Sequence, residues 1–200
     1  MDEKDRYKTI SGTAKGLYKE KGSKFIAVAV HVDTEEEAKR NIEALKREHH
    51  SARHHCYAWR INPENEISKS SDDGEPSGTA GKPILNQIYS HSLFNVLVVV
   101  IRYFGGTKLG VSGLIRAYKT AADEALTEAE IVEGKLTHTL QIQFTYALMN
   151  DVMRIVKEEN LTVLSRDFGM DCKLKLAVDK SRRKIVTQRF MNMYKVKITN

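Results

Sequence analysis

Cysteine, proline and tryptophan are scarce in this 200-residue sequence, which contains two, three and one of them respectively. The two cysteines, Cys56 and Cys172, lie far apart, and this excludes the dense disulfide framework of a small secreted scaffold. The longest unbroken apolar run covers only residues 96–101 and is too short to cross a bilayer. The charged first residues lack the apolar core of a signal peptide. We therefore expect a soluble, cytoplasmic protein that makes no membrane contact.

Basic residues are in excess, with 32 Lys and Arg against 26 Asp and Glu and a formal net charge of +6. The excess lies in residues 134–200, which carry 13 basic and 6 acidic residues, whereas residues 1–133 carry 19 and 20. Such asymmetry indicates two modules. Gly134 follows a long helical pattern and is expected to end that helix. The sequence therefore predicts an N-terminal domain over 1–133 and a basic C-terminal domain over 134–200.

The N-terminal part has mixed strand and helix patterns. Strands are predicted over residues 24–32, 54–61 and 96–101, and helices after the capping box of Thr34 and Glu37, after Pro83, and over 114–129. Residues 62–80 have almost no large apolar side chains. They are predicted to form a long loop, of the kind that is usually functional or mobile.

The C-terminal part has the order β-α-β-β-α-β, which predicts a ferredoxin-like sandwich and makes the whole chain α+β. Both helices would cover one sheet face and leave the other free for polar side chains: Thr139, Gln141, Gln143, Lys173, Lys175, Lys195 and Lys197. Arg182, Arg183 and Lys184 add a basic cluster at the start of the last helix. Such lysines suit phosphate contacts, but solvated lysines also protect exposed strands from pairing. The 171–178 strand has no aromatic residue on that face, so base stacking is not expected there.

A first candidate site lies on the 54–61 strand, where His54 and Cys56 point the same way and have the chemistry of zinc ligands. A closed zinc site needs four ligands, and no second Cys/His pair stands at a suitable spacing. We therefore expect neither a metal nor a cofactor, and an ordinary, partly buried strand is the stronger interpretation.

A second candidate is the segment 70–79, where Asp72, Asp73 and Glu75 stand among serines and glycines. Together with His54, these carboxylates suggest a hydrolase site. The same residue types build tight turns, and no G-x-S-x-G nucleophile motif is present. A turn is therefore the simpler interpretation of this segment.

A third candidate is the glycine-rich stretch 105–113, which leads from a buried strand into a helix. Backbone N–H groups at a helix N-terminus bind anions, and Lys108 and Arg116 add positive charge. The stretch is neither a Walker A loop nor a G-x-G-x-x-G motif. Anion binding and close packing of strand against helix are both compatible with these glycines.

Five motifs, taken together and in this order, resemble the IMPACT family in its YigZ/YvyE-like bacterial branch. They are residues 22–25 (GSKF), 54–58 (HHCYA), 72–81 (DDGEPSGTAG), 102–110 (RYFGGTKLG) and 113–118 (GLIRAY). Within these motifs, a possible functional cluster consists of His54, Cys56, Asp72, Asp73, Glu75 and Arg102.

The resemblance implies an N-terminal split β-α-β domain similar to domain IV of elongation factor G and a C-terminal domain similar to its domain V. It also implies a non-catalytic protein associated with RNA or the ribosome, because eukaryotic relatives regulate translation. The family offers no catalytic residues to transfer. An enzyme built on His54, Asp72, Asp73 and Glu75, and a protein-interaction adaptor that uses the 62–80 loop, stay open as alternatives.

Overall fold

A computed structural model describes residues 5–169 and 171–199. The chain divides into two compact units. The first unit is Tyr7–Gly134, and the second combines the described residues on either side of it.

The first unit contains seven strands and three helices. The strands are β1 (Arg6–Ser11), β2 (Thr13–Glu20), β3 (Ser23–His31), β4 (His54–Ile61), β5 (Ile67–Ser71), β6 (Val96–Tyr103) and β7 (Glu130–Lys135), and the helices are α1 (Glu35–Glu48), α2 (Gly81–Ser90) and α3 (Gly110–Thr127). Five of the strands form one antiparallel sheet in the order β2-β3-β6-β4-β5, and β1 pairs with β7.

Helices cover both faces of the five-stranded sheet. The buried residues of α1 pack with Trp59 and Leu97 on one face, and those of α2 and α3 pack on the other. Residues 96–101 of β6 are fully buried, which confirms the prediction of a strand covered on both faces. The first turn of α1 is capped as predicted, since the Oγ1 of Thr34 accepts a hydrogen bond from the N–H of Glu37 over 3.2 Å.

The second unit contains four strands and two helices. They are β8 (Thr137–Thr145), α4 (Met149–Glu158), β9 (Thr162–Phe168), β10 (Asp171–Asp179), α5 (Arg183–Met191) and β11 (Lys197–Thr199), with short 3₁₀ turns before α4 and α5. The antiparallel sheet has the order β11-β8-β10-β9. Inward side chains of β8 and β10 pack against Val152 and Phe190 of the helices. This is the predicted β-α-β-β-α-β order.

Several expectations about individual segments are wrong. Residues 62–80 are not one loop, because Ile67–Ser71 pairs with β4 as an edge strand. Gly134 does not end a helix; it lies in β7, where an added Cβ would come 2.3 Å from the ring of Tyr7. The last strand is shorter than expected, and Lys195 precedes it with a φ of 65°. The described part of the chain includes no helix with the length and apolarity needed to span a membrane.

Candidate functional site

A cleft of about 860 Å³ opens in the first unit between the start of β4, the end of β6 and the N-terminus of α3. Its polar lining includes Arg53, His54, Glu75, Arg102 and Lys108. The volume falls in the range typical of sites for small molecules. Of the possible functional cluster, His54, Glu75 and Arg102 line this cleft.

Arg102 and Glu75 form a buried ion pair at the cleft. The Nη1 of Arg102 donates to Oε1 of Glu75 over 2.6 Å, and the hydroxyl of Tyr118 donates to the same oxygen over 2.8 Å. The side chains of Arg102 and Glu75 are only 7% and 4% exposed. A carboxylate held by two donors in this way is not available as a general base.

His54 and Asp73 are joined through the backbone rather than through their side chains. The Nδ1 of His54 lies 2.9 Å from the carbonyl oxygen of Asp73, so Nδ1 carries the proton and donates. The carboxylate of Asp73 instead accepts from the backbone N–H of His55 over 2.7 Å. Within the described part of the chain, His54 therefore has no carboxylate partner of the kind that a hydrolase dyad requires.

Cys56 is buried beneath the segment that contains Asp72. Its thiol donates to the carbonyl oxygen of Asp72 over 3.0 Å, and burial raises the pKa of the thiol, so that it stays protonated. Zinc binds the thiolate, and a buried protonated thiol is a poor ligand. Within residues 5–169 and 171–199, no group of three or more His, Cys, Asp and Glu side chains is arranged to hold a metal ion.

Asp72 organises the loop that precedes α2. Its Oδ1 accepts from the backbone N–H groups of Ala80 and Gly81 over 2.9 and 2.8 Å, and its Oδ2 accepts from that of Gly78 over 2.9 Å. Ala80 offers α2 no side-chain cap, so Asp72 caps the helix from a distance along the chain. Burial would raise the pKa of Asp72, but the three N–H bonds outweigh it and lower the pKa. The segment after β5 is thus tied to the fold.

Replacing Asp72 with asparagine is expected to cost about 1–2 kcal/mol of folding free energy at pH 7, since one N–H bond and the charge are lost. Because the folded-state pKa of Asp72 is lowered, its stabilisation is present above the unfolded-state pKa of about 3.9 and disappears as the pH falls further. Urea unfolding followed by the fluorescence of Trp59 at pH 7, 4 and 3 tests this. The two proteins should converge on acidification, and a constant difference would contradict it.

The glycines of the 105–113 stretch serve different purposes. The N–H of Gly105 donates to the Oγ of Ser23 over 3.2 Å, and a Cβ at Gly105 would lie 1.9 Å from the carbonyl carbon of Gly22. Close packing therefore explains Gly105. Gly106 and Gly110 have φ values of 87° and 73° and face open space, and α3 starts without a side-chain cap or an acidic first turn. No side chain of the first turn therefore neutralises the positive end of the α3 dipole at the cleft.

The two predicted cations of this stretch lie in different environments. Lys108 is exposed and lines the cleft. Arg116 is not among the cleft residues, and its guanidinium is paired with Glu20. Only Lys108 is thus placed to meet a ligand in the cleft.

The open face of the second sheet mixes lysines with carboxylates. Lys173 and Lys175 are exposed on β10, and the register places Asp167 and Gln143 on either side of Lys173. Lys197 lies opposite Gln143 in turn. Residues directly opposite each other share a face, so Asp167 lies among these lysines.

The basic cluster at the start of α5 is partly neutralised. Arg182 and Arg189 are both paired with Glu159, whose side chain is only 8% exposed, and Arg189 also pairs with Glu158. Arg183 and Lys184 are exposed. Among the residues that the structure describes, Arg183 and Lys184 therefore have no such pair and lie at the surface.

Arg53 and Phe104 are among the cleft residues that were not predicted as site residues. Arg53 immediately precedes β4, and Phe104, whose side chain is 55% exposed, follows β6. Arg53 adjoins the recognised His54, and Phe104 lies within the motif 102–110, so their sequence positions were the available signal. The sequence alone does not show that the start of β4 and the end of β6 lie at one cleft.

Comparison with known proteins identifies relatives over most of the chain. The profile of the Impact N-terminal domain matches residues 21–126. The IMPACT family member YvyE of Bacillus subtilis is 40% identical over 136 residues, which are 68% of this chain and 63% of that protein, so less than two thirds of its length is spanned. The IMPACT family member YigZ of Escherichia coli is 32% identical over 160 residues, which are 79% of this chain and 78% of that one.

A solved structure titled "Crystal structure of an hypothetical protein" shares the fold. It superimposes with a TM-score of 0.78, covers 97% of this chain and 96% of its own, and is 26% identical. The two-unit α+β architecture is therefore found in another protein over almost the full length of both chains.

Proposed function

Because the chain belongs to the IMPACT family, we propose that it is a non-catalytic binding protein that acts in translation. In this proposal it contacts RNA or the ribosome through the open face of the second sheet. Translation control is the role that the family resemblance implies, and a protein partner in that process is compatible with it. The likeness to domains IV and V of elongation factor G stays a prediction.

The observation that carries the proposal is the exposure of Lys173, Lys175 and Lys197 on a sheet face that neither α4 nor α5 covers. Ammonium groups exposed together on one sheet face suit contacts to a phosphate backbone. Asp167 and Asp171 lie on the same face, so its field is weaker than the charge of residues 134–200 suggests. Contacts to phosphate groups that fit between these carboxylates are therefore expected, rather than strong binding to any polyanion.

The geometry favours this proposal over the two alternatives. The carboxylates of Asp72, Asp73 and Glu75 are each occupied by a backbone or side-chain donor, and none of them is bonded to the ring of His54. The protein-interaction adaptor that uses the 62–80 loop is also disfavoured, since residues 67–71 pair with β4 and the N–H groups of Gly78, Ala80 and Gly81 bond to Asp72.

Co-sedimentation with ribosomes at salt concentrations from about 50 to 200 mM tests the proposal. Reversing Lys173, Lys175 and Lys197 to glutamate should weaken binding at least about tenfold at low salt and flatten its salt dependence. These side chains are exposed, so the variant should fold.

The matched control reverses three exposed cations of the first unit, Lys39, Arg47 and Lys119. This variant changes the net charge by the same amount and should sediment with ribosomes as the unaltered protein does. Equal weakening by both variants would show that net charge, and not the face of the second sheet, determines binding. Absence of binding at low salt would refute the proposal.

A further inference from the structure

We propose that the cleft of the first unit binds the phosphate group of a nucleotide, either a free mononucleotide or the terminal nucleotide of an RNA. The inference concerns a different unit from the lysine face and does not depend on it. Four features of the cleft support it.

The first feature is the charge of the lining. Arg53, Arg102 and Lys108 supply three cations, and Glu75 supplies one anion that Arg102 already neutralises. Arg53 and Lys108 are exposed, and no ion pair within the described residues occupies either of them. Two available cations match the charge of a phosphate monoester.

The second feature is the N-terminus of α3, where residues 109–111 line the cleft. This 18-residue helix begins with no side-chain cap and no acidic residue in its first turn. Its first N–H groups therefore lack a side-chain cap at the edge of the cleft, and uncapped helix N-termini of this kind bind phosphate.

The third feature is an unpaired donor. Arg102 is 6% exposed and lines the cleft, and its Nε–H has no acceptor among the described residues. Buried donors are almost always paired, so an unpaired one beside two cations and a helix N-terminus marks a place where an acceptor is expected.

The fourth feature favours a nucleotide over a bare phosphate ion. The cleft volume of about 860 Å³ far exceeds that of one phosphate group, and its rim carries Phe104 and Val111, which are 55% and 60% exposed. An exposed aromatic ring beside cations is the usual platform for stacking a base. In this arrangement the cations bind the phosphate, and the ring of Phe104 stacks on the base.

Isothermal titration of the full chain with AMP, adenosine and inorganic phosphate tests the inference. AMP should bind, and adenosine should bind at least about tenfold more weakly because it lacks the phosphate. The variant Arg53→Glu/Lys108→Glu should lose about tenfold or more in AMP affinity. Phe104→Ala should weaken AMP by about tenfold and leave inorganic phosphate unchanged.

The double variant Lys39→Glu/Arg40→Glu is the matched control, since it changes the net charge by the same amount and both residues are exposed on α1, which packs on the opposite face of the sheet. It should leave AMP binding unchanged. A short RNA with a 5′-phosphate, compared with the same RNA without it, distinguishes an RNA end from a free nucleotide, and a preference for either source supports the inference. Absence of binding by both AMP and the 5′-phosphorylated RNA would overturn the inference. Equal binding of AMP and adenosine would overturn it too, as would binding of either phosphate ligand that Arg53→Glu/Lys108→Glu leaves unaffected.

Discussion

Glu75→Gln is expected to destabilise the first unit by about 3–5 kcal/mol, because it leaves the buried guanidinium of Arg102 without its counter-charge. The glutamine has the same shape, so lost packing does not contribute. Trp59 is the only tryptophan and is buried in the first unit, so its fluorescence during urea unfolding reports on that unit alone.

The double variant Glu75→Gln/Arg102→Met is the control for this prediction. It removes both charges, and we expect it to recover much of the loss, since a buried pair contributes far less than the cost of breaking it. A single variant within about 1 kcal/mol of the unaltered protein would contradict the prediction. So would a double variant whose loss is the sum of the two single losses.

Gly105→Ala is expected to cost about 3 kcal/mol or more of the folding free energy of the same unit. The added Cβ would lie 1.9 Å from the carbonyl carbon of Gly22 and 2.2 Å from the nitrogen of Ser23. Both are backbone atoms within or next to the β2–β3 turn, so no side-chain rotation relieves the clash. The strand pair or the 105–113 stretch has to move.

Gly106→Ala is the neighbouring control. Its Cβ would meet nothing within 4 Å, and only the φ of 87° opposes the substitution. We expect a smaller loss, of about 1–2 kcal/mol, from backbone strain. Equal losses for the two variants, measured by Trp59 fluorescence, would show that the approach of Gly105 to Gly22 is not the cause.

The strands that sequence patterns predicted are those that bury large side chains. β3, β6 and β10 each present several branched or aromatic residues to a core, and this gives them a readable period. The order of the second unit was predicted for the same reason. Strands that bury large side chains can therefore be predicted from short stretches of a single sequence.

β2 and β5 were missed for physical reasons that differ. β2 packs against α3 through small residues, and a Cβ at Gly16 would lie 2.5 Å from the backbone nitrogen of Ala125. Such close approach requires a residue without a side chain. A glycine adds nothing to a hydrophobic pattern, so the pattern of the sequence does not reveal this strand. β5 is an edge strand whose residues 67–70 are exposed, so its pairing with β4 leaves no apolar signature.

At the candidate site, the sequence identified residues but not their partners. Glu75, Arg102 and Tyr118 were all within the family motifs, yet the bonds that join them span 27 and 43 positions of the chain. The pairing of Arg116 with Glu20 spans 96 positions. Contacts of this range depend on the strand order, and spacing along the sequence does not encode it.

The central place of β6 also bears on how the first unit assembles during synthesis. β6 is the only link in the five-stranded sheet between the β2–β3 pair and the β4–β5 pair, and its register joins Lys24 to Tyr103, about 80 residues away. Until residue 103 has left the ribosome, β3 and β4 each keep an unpaired apolar edge. Such edges slow folding and invite association with other chains. Nascent chains that end before residue 96 are therefore expected to depend on chaperones, and completed ones are not.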